Sequence, residues 1–389
     1  MILYLSLLLL LLFCVIVYDI GGNRQYREPH IIIILLAFIF ISGFSYRLGG
    51  DGIGYMKAYK QYGDITDLSF SYLMSFPGKQ PGWVLLSTLC NTITNDYFLF
   101  KFIHAVILNT AYVKTIKKNA KFVFSALTVY FVLIFFNQNF EVLRESFAIA
   151  FFLFSLPFFY QNKWKKYYCF VLLAFLFHEG ALFLVVLPLI KLFGFGKKTL
   201  ILYIIAFVLF FLYASDILQY ILTLSTSGEV ENDKLWYYFH DIETEYEFNS
   251  LSNFVLNILF PVLVLFYYKR KNINIPYLIP AIVSLFIYLA STVLPMFYRF
   301  GNYVAIFNYL IITDFIFIYF MTRKATKVLK LSLIMLVFTV FVGFKARYYF
   351  ERNYGETRYK IYVQYYPYAS IFDKYEDPDR EAMANELIH

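Results

Sequence analysis

Arg47, Asp51 and Tyr55 lie four residues apart in the stretch RLGGDGIGY. On a helix that spacing sets a cation, a carboxylate and a phenol on one face, which suits an anionic, hydroxylated substrate. The alternative for Asp51 is a turn residue within Gly49-Gly50-Asp51-Gly52. A second group, Glu141, Arg144 and Glu145, opens the apolar run FEVLRESFAIAFFLF. A guanidinium forks onto phosphate oxygens and stays charged, so Arg144 reads as a phosphate clamp. Acids at a helix start are also what the helix dipole favours, with Arg144 paired locally. His178 and Glu179 interrupt LAFLFHEGALFLVV, where Gly180 permits a sharp turn. The imidazole either donates to a pyrophosphate, moves a proton, or is a hydrogen-bonded core residue. Arg299 and Tyr303 are again four apart in PMFYRFGNYVAIF; they face the same cavity as Arg144, or the arginine snorkels at an interface.

The elements that must position these residues are membrane helices. Of 389 residues, 60% are hydrophobic, 22% aromatic and only 15% charged, more apolar surface than a soluble chain of this size needs. Apolar runs of roughly 15 to 20 residues recur from end to end, matching the ~30 Å hydrocarbon thickness when helical. The expected class is an all-α polytopic membrane protein of about 11 to 12 membrane segments. Met1 to Tyr18 has no basic leader and no small-residue cleavage site, so it reads as a retained first span. The net charge of +8 sits in short clusters between spans, which positive-inside topology explains better than nucleic-acid binding. Cys14, Cys90 and Cys169 have neither metal nor disulfide spacing.

Placing the clusters at Arg24, Lys114 to Lys121, Lys163 to Lys166, Lys191 to Lys198, Lys269 to Lys271 and Arg323 to Lys330 in the cytoplasm gives one consistent path. Spans are expected near 2–18, 31–46, 97–113, 122–136, 146–160, 199–213, 251–268, 277–296, 303–320 and 329–344, with Trp83 to Ile93 a short interfacial or re-entrant helix. Between Lys163 and Lys191 the chain must turn back, in a re-entrant or broken hairpin near His178. The result is one transmembrane domain over 1–344, with external loops 47–83 and 214–250 and an external C-terminal tail over 345–389. One face then collects Arg47, Asp51, Glu141, Arg144, Glu145, His178, Glu179 and Arg299. Charge at the edge of hydrocarbon is costly and usually faces an aqueous cavity. No Walker loop, dinucleotide fingerprint or metal-ligand pair is visible, so no cofactor or metal is expected. No internal repeat is visible either, which counts against a transporter of inverted halves.

RLGGDGIGY, then KQPGW before a short apolar helix, LRESFAIA, FHEGAL, YRFGNY and the terminal YYPYASIF follow one another along most of the chain. In that order and spacing the chain resembles the EpsG family of polysaccharide-polymerising membrane proteins, related to Wzy-type O-antigen and capsule polymerases. The resemblance implies a GT-C-like bundle acting on undecaprenyl-diphosphate-linked oligosaccharides at the outer face of a bacterial plasma membrane. By that pattern Asp51 matches the first-loop acid, Arg144 the arginine at the helix start, His178 the Phe-His motif and Arg299 the late external arginine. Gln80 stands where such proteins often carry glutamate, and Glu145 where glutamine is usual.

The expected reaction transfers a lipid-diphosphate-linked glycan to the hydroxyl of another lipid-linked repeat unit. Asp51, Glu145 and His178 are the candidate catalytic groups. Arg47, Tyr55, Gln80, Glu141, Arg144, Arg299 and Tyr303 are the candidate substrate-binding groups. A chain-length regulator is a further expected partner. Two alternatives stay open. One is a membrane O-acyltransferase with His178 as base; the other is a lipid-linked oligosaccharide flippase, favoured by Asp314 within a late span.

Overall fold

The computed structural model describes residues 2–193, 254–292, 294, 297–324, 326–354 and 357–386, with scattered positions between 202 and 213. Most of the expected span near 199–213 lies outside the described residues. So does the acidic loop 214–250, with Asp216, Glu229, Glu231, Asp233, Asp241, Glu243, Glu245 and Glu247. Among the described residues the regular elements are helices, without a strand. It divides into two compact units, Met1–Leu182 with Thr313–His389, and Phe183–Ile312.

The first unit begins with α1 (Ile2–Cys14), which runs on in wider π-helical turns to Ile20, and α2 (Arg27–Gly43). The stretch after α2 is not bare loop. It holds α3 (Gly50–Ala58), the single turn α4 (Phe70–Leu73) and α5 (Pro81–Ile93). Proline at the first position of α5 supplies a preset φ where the missing N–H costs nothing. Then come α6 (Phe98–Asn119), α7 (Val123–Tyr130) extended by π-helical turns over Phe131–Phe135 and Asn137–Glu141, α8 (Leu143–Tyr160) and α9 (Trp164–Phe175). The second unit holds α10 (Leu187–Phe193), α11 (Phe260–Arg270), α12 (Leu278–Ser291) and the start of α13 (Tyr298–Met321). Within it the Tyr268 hydroxyl donates to the Ile311 carbonyl at 3.3 Å. The chain ends in the first unit with α14 (Lys327–Ala346), α15 (Tyr348–Glu351) and α16 (Pro378–Glu386).

Among the described residues, four stretches are long and apolar enough to cross a membrane: Ile2–Ile20, Leu143–Tyr160, Tyr298–Met321 and Val328–Glu351. Val123–Phe135 and Leu278–Ser291 are apolar but shorter. On the first and last of the four, Leu5, Leu9 and Phe13, and Leu336 and Val340, are exposed. Helices apolar on every side, with such faces outward, belong in lipid rather than water.

The ends of the first unit's bundle are closed differently. At one end Glu28 of α2 meets Lys117 of α6 at 2.5 Å. There the Asp19 carboxylate accepts from the Ser125 amide at 2.7 Å and its hydroxyl at 2.8 Å. Asp314 of α13 accepts from the amides of Lys121 and Phe122 at 3.1 and 3.2 Å. Both acids satisfy donors at the start of α7, which a helix cannot pair internally. At the other end the described part of 345–389, expected as an external tail, folds back on the segment after α2. The Tyr46 amide donates to the Ala369 carbonyl, the Ile371 amide to Phe44 and the Gly49 amide to Gln364, each at 2.9 Å. Arg380, 1% exposed, donates to the carbonyls of Arg47, Val363 and Pro367.

Candidate functional site

The candidate site grows from the start of α3. Gly49 has φ of 81°, and a Cβ there would fall 2.3 Å from the Phe140 carbonyl oxygen, so only glycine fits. The helix opens at Gly50, one turn later than the even spacing of Arg47, Asp51 and Tyr55 assumes. Asp51 and Tyr55 therefore lie a turn apart on α3, but Arg47 does not join their face. Its own φ of 50° puts it in the turn before the helix. Its guanidinium pairs instead with Glu381 of α16, Nε to Oε1 at 2.5 Å, with Glu376 at 3.7 Å. The Glu381 bond holds the Arg47 guanidinium above its ordinary pKa.

Glu141 ends the π-helical turns before α8 and reaches across to α3. Its Oε1 accepts from the Gly50 amide at 2.9 Å, and its Oε2 from the Asp51 amide at 3.1 Å and the Tyr354 hydroxyl at 3.2 Å. A carboxylate at a helix N-terminus meets unpaired N–H groups and the positive end of the dipole. At 5% exposure, burial is still the largest influence on Glu141. Burial and then the Asp51 charge push its pKa up to about 8, against the pull of the two amides and Tyr354. Asp51 itself is exposed.

Arg144, at the start of α8, draws in the rest. Its Nε donates to the Tyr55 hydroxyl at 3.3 Å, and its Nη1 to the Gln80 side-chain oxygen at 3.1 Å and to the Gly78 carbonyl. Among the described residues nothing accepts from its Nη2 group. Gln80 donates in turn to Glu179 at 3.2 Å. Lys79 lies over the Tyr55 ring at 5.1 Å, and that ring packs on Trp83 at 4.9 Å between centroids. Burial raises the Tyr55 phenol's pKa, against the opposing pull of Arg144, so it stays neutral at ordinary pH. The helix before His178 ends at Phe175, and the next turn is a 3₁₀ helix beginning at Glu179, so the apolar run breaks at the polar residues. The Leu176 carbonyl freed by the break accepts from the Gly82 amide at 2.8 Å, which ties this break to α5. His178 Nδ1 accepts from the Gly180 amide at 3.1 Å, an arrangement that leaves the ring proton on Nε2.

The structure thus brings together Asp51, Tyr55, Gln80, Glu141, Arg144 and Glu179. Glu145 is adjacent in sequence but buried, 4% exposed. Arg299 and Tyr303 belong to the second unit, where Tyr303 is buried and its ring lies 5.2 Å from Phe183. Two buried polar residues behind the site were not singled out from sequence. Lys101 of α6 donates to the Asn139 carbonyl and lies 4.9 Å from the Phe140 ring centre. His104, one turn on, meets the Ser146 hydroxyl at 2.6 Å. Their signal was a cation and an imidazole three apart inside an otherwise apolar span, which marks a bundle-facing stripe. No group of three His, Cys, Asp or Glu side chains suited to a metal occurs among the described residues.

This assembly offers an arginine beside an exposed carboxylate, a neutral phenol and an amide side chain, which is chemistry for an anion next to a hydroxyl. No curated protein and no solved structure matches the chain. The model of the EpsG family matches residues 30–370, which takes in Asp51, Tyr55, Gln80, Glu141, Arg144 and Glu179 but stops short of Glu376 and Glu381. The chain belongs to the EpsG family, a family of the Wzy-type polymerase-like kind.

Proposed function

We propose that this chain is a surface-polysaccharide polymerase of a bacterial plasma membrane, working on undecaprenyl-diphosphate-linked repeat units at the external face. The carrying observation is Arg144: a guanidinium oriented by Tyr55, Gly78 and Gln80, next to the helix that presents Asp51. In this reading the acceptor hydroxyl attacks the anomeric carbon of the donor glycan. The new carbon–oxygen bond forms as the bond to the lipid diphosphate breaks, and the leaving diphosphate keeps the electron pair. Arg144 stabilises the charge that grows on it. Asp51, exposed and one helical turn from Tyr55, accepts the hydroxyl proton. Gln80 and Tyr55 orient the arginine and the sugar, while His178 and Glu145 remain proposed supporting groups and Arg299 with Tyr303 proposed contacts of the second unit. A GT-C-like bundle of 11 to 12 segments belongs to the same proposal, as do the O-antigen or capsule product and a chain-length partner.

The transport alternative leaned on Asp314, and that carboxylate is engaged in capping residues 121 and 122. The test is polymerisation in liposomes by purified protein supplied with lipid-linked repeat units. Wild type is expected to yield a glycan ladder and free lipid diphosphate. Arg144→Ala, folded to the same extent, is expected to lose on the order of 10² to 10³ in rate. A ladder unchanged in the variant removes Arg144 from the reaction. Intact units crossing the bilayer with no ladder make the chain a flippase.

A further inference from the structure

Glu141 has both its carboxylate oxygens committed to protein donors: the Gly50 amide on one, the Asp51 amide and the Tyr354 hydroxyl on the other. It therefore has little left with which to contact a substrate. What it does hold is the first turn of α3, the helix that carries Asp51 and Tyr55. Tyr354 comes from the clasping segment, more than two hundred residues later in the chain, and touches the same turn twice. Its hydroxyl donates to Glu141, and its ring edge is so close that a Cβ on Gly50 would lie 2.8 Å from it. The clasp is anchored independently of that contact. Tyr354 sits beside an antiparallel bridge from Asn353 to Lys360, its amide donating to the Tyr359 carbonyl at 2.9 Å. Arg380 and the Arg47–Glu381 pair fasten the following stretch to the residues just before α3. On the far side of Glu141, Lys101 fixes the π-helical turns that deliver it by donating to the Asn139 carbonyl.

We propose that Tyr354 and Glu141 are positioning residues: the C-terminal segment completes the site by clamping the start of α3, so that Asp51 and Tyr55 are held beside Arg144. This rests on the polymerase reading for its effect on rate, but the clamp itself is a matter of structure. A hydrogen bond to a carboxylate that fixes a helix start controls where the helix points, and a displacement of about 1 Å at a reacting group costs about 10²-fold. Tyr354→Phe removes the hydroxyl and keeps the ring against Gly50. Glu141→Gln keeps the shape but replaces one acceptor oxygen with a donor, which in either orientation faces at least one backbone amide that needs an acceptor.

The experiment takes full-length protein in liposomes and reads two quantities. The first is amide hydrogen exchange over residues 50–58, which needs no substrate. Both variants are expected to speed exchange there while leaving residues 143–160 unchanged. The second is the rate on lipid-linked repeat units. Tyr354→Phe is expected to lower kcat roughly tenfold with KM unchanged, the effect of one lost buried hydrogen bond. Glu141→Gln is expected to lower it further. Unchanged exchange over 50–58 in both variants overturns the clamp, whatever the reaction proves to be. Faster exchange with kcat at the wild-type level overturns the positioning role, since a merely structural contact gives that result. A wild type that exchanges as expected but makes no ladder overturns the polymerase reading and with it the rate effect, while the clamp stands.

Discussion

The two ends of the first unit use the same device for different results. At each end a carboxylate distant in sequence caps a helix start: Glu141 on α3, and Asp314, helped by Asp19, at α7. At the α7 end the capped turn packs against rings, such as Phe122 on Phe317, 4.8 Å apart. At the α3 end the capped helix carries an exposed acid, and an arginine, a phenol and a glutamine side chain converge beside it. A buried acid at the edge of a membrane bundle is therefore no evidence of function by itself. The distinguishing feature is what the capped element presents to solvent. Asp314, the more conspicuous acid in the sequence because it interrupts an apolar span, caps the turn that leads into α7.

The sharpest way to break this contrast is Gly49→Ala. An alanine there must adopt a left-handed backbone and would drive its Cβ into the Phe140 carbonyl. Strain and displacement together are expected to cost on the order of 2 to 4 kcal/mol of stability. Because the displaced turn carries Asp51, polymerisation is expected to fall by about 10²-fold or more in the fraction that folds. Thermal unfolding in detergent and the liposome assay read the two effects separately. A folded Gly49→Ala protein with full activity would mean that the geometry of this turn does not matter to the reaction.

Asp314→Ala probes the opposite end and separates stability from rate. It leaves the amides of Lys121 and Phe122 without their carboxylate, a loss of roughly 1 to 3 kcal/mol. The expected outcome is a lower unfolding temperature with kcat per folded molecule unchanged. Lost turnover at full stability would restore Asp314 as a functional group and revive transport.

The sequence made the class of molecule and one half of the candidate cluster legible, for a physical reason that also explains what it hid. Apolar run length and the polar breaks at His178 and before Leu143 are local properties, and the helix ends fall at or near them. Arg144, charged at the mouth of an apolar run, could be selected from its neighbours alone. Arg47 could not, because its partner Glu381 lies 334 residues away and a helical spacing of four coincides with a turn that starts later. The same holds for Glu141, which looked like one of two helix-start acids but answers to amides about ninety residues earlier. Such pairings leave no periodicity to read. Lys101 was legible in principle, as a cation inside a span, but its partner is a backbone carbonyl and sequence gives backbone groups no mark.

The smallest expected effect comes from Lys117→Ala, which removes the pair with Glu28 at the α7 end. Both side chains are about half exposed, at 46% and 54%. Two long side chains held together in water gain little over their separate hydration and lose rotamer freedom, so the pair contributes about 0.2 to 1 kcal/mol. In a chain of this size that is a shift of no more than about 2 °C in unfolding temperature, shrinking further as salt screens the pair. Activity is expected at the wild-type level, since the substitution lies at the end of α6 opposite Lys101 and the clamped turn. A loss comparable to that of Arg144→Ala would show that chemistry depends on both ends of the bundle, and the distinction between a capped end and a working end would fail.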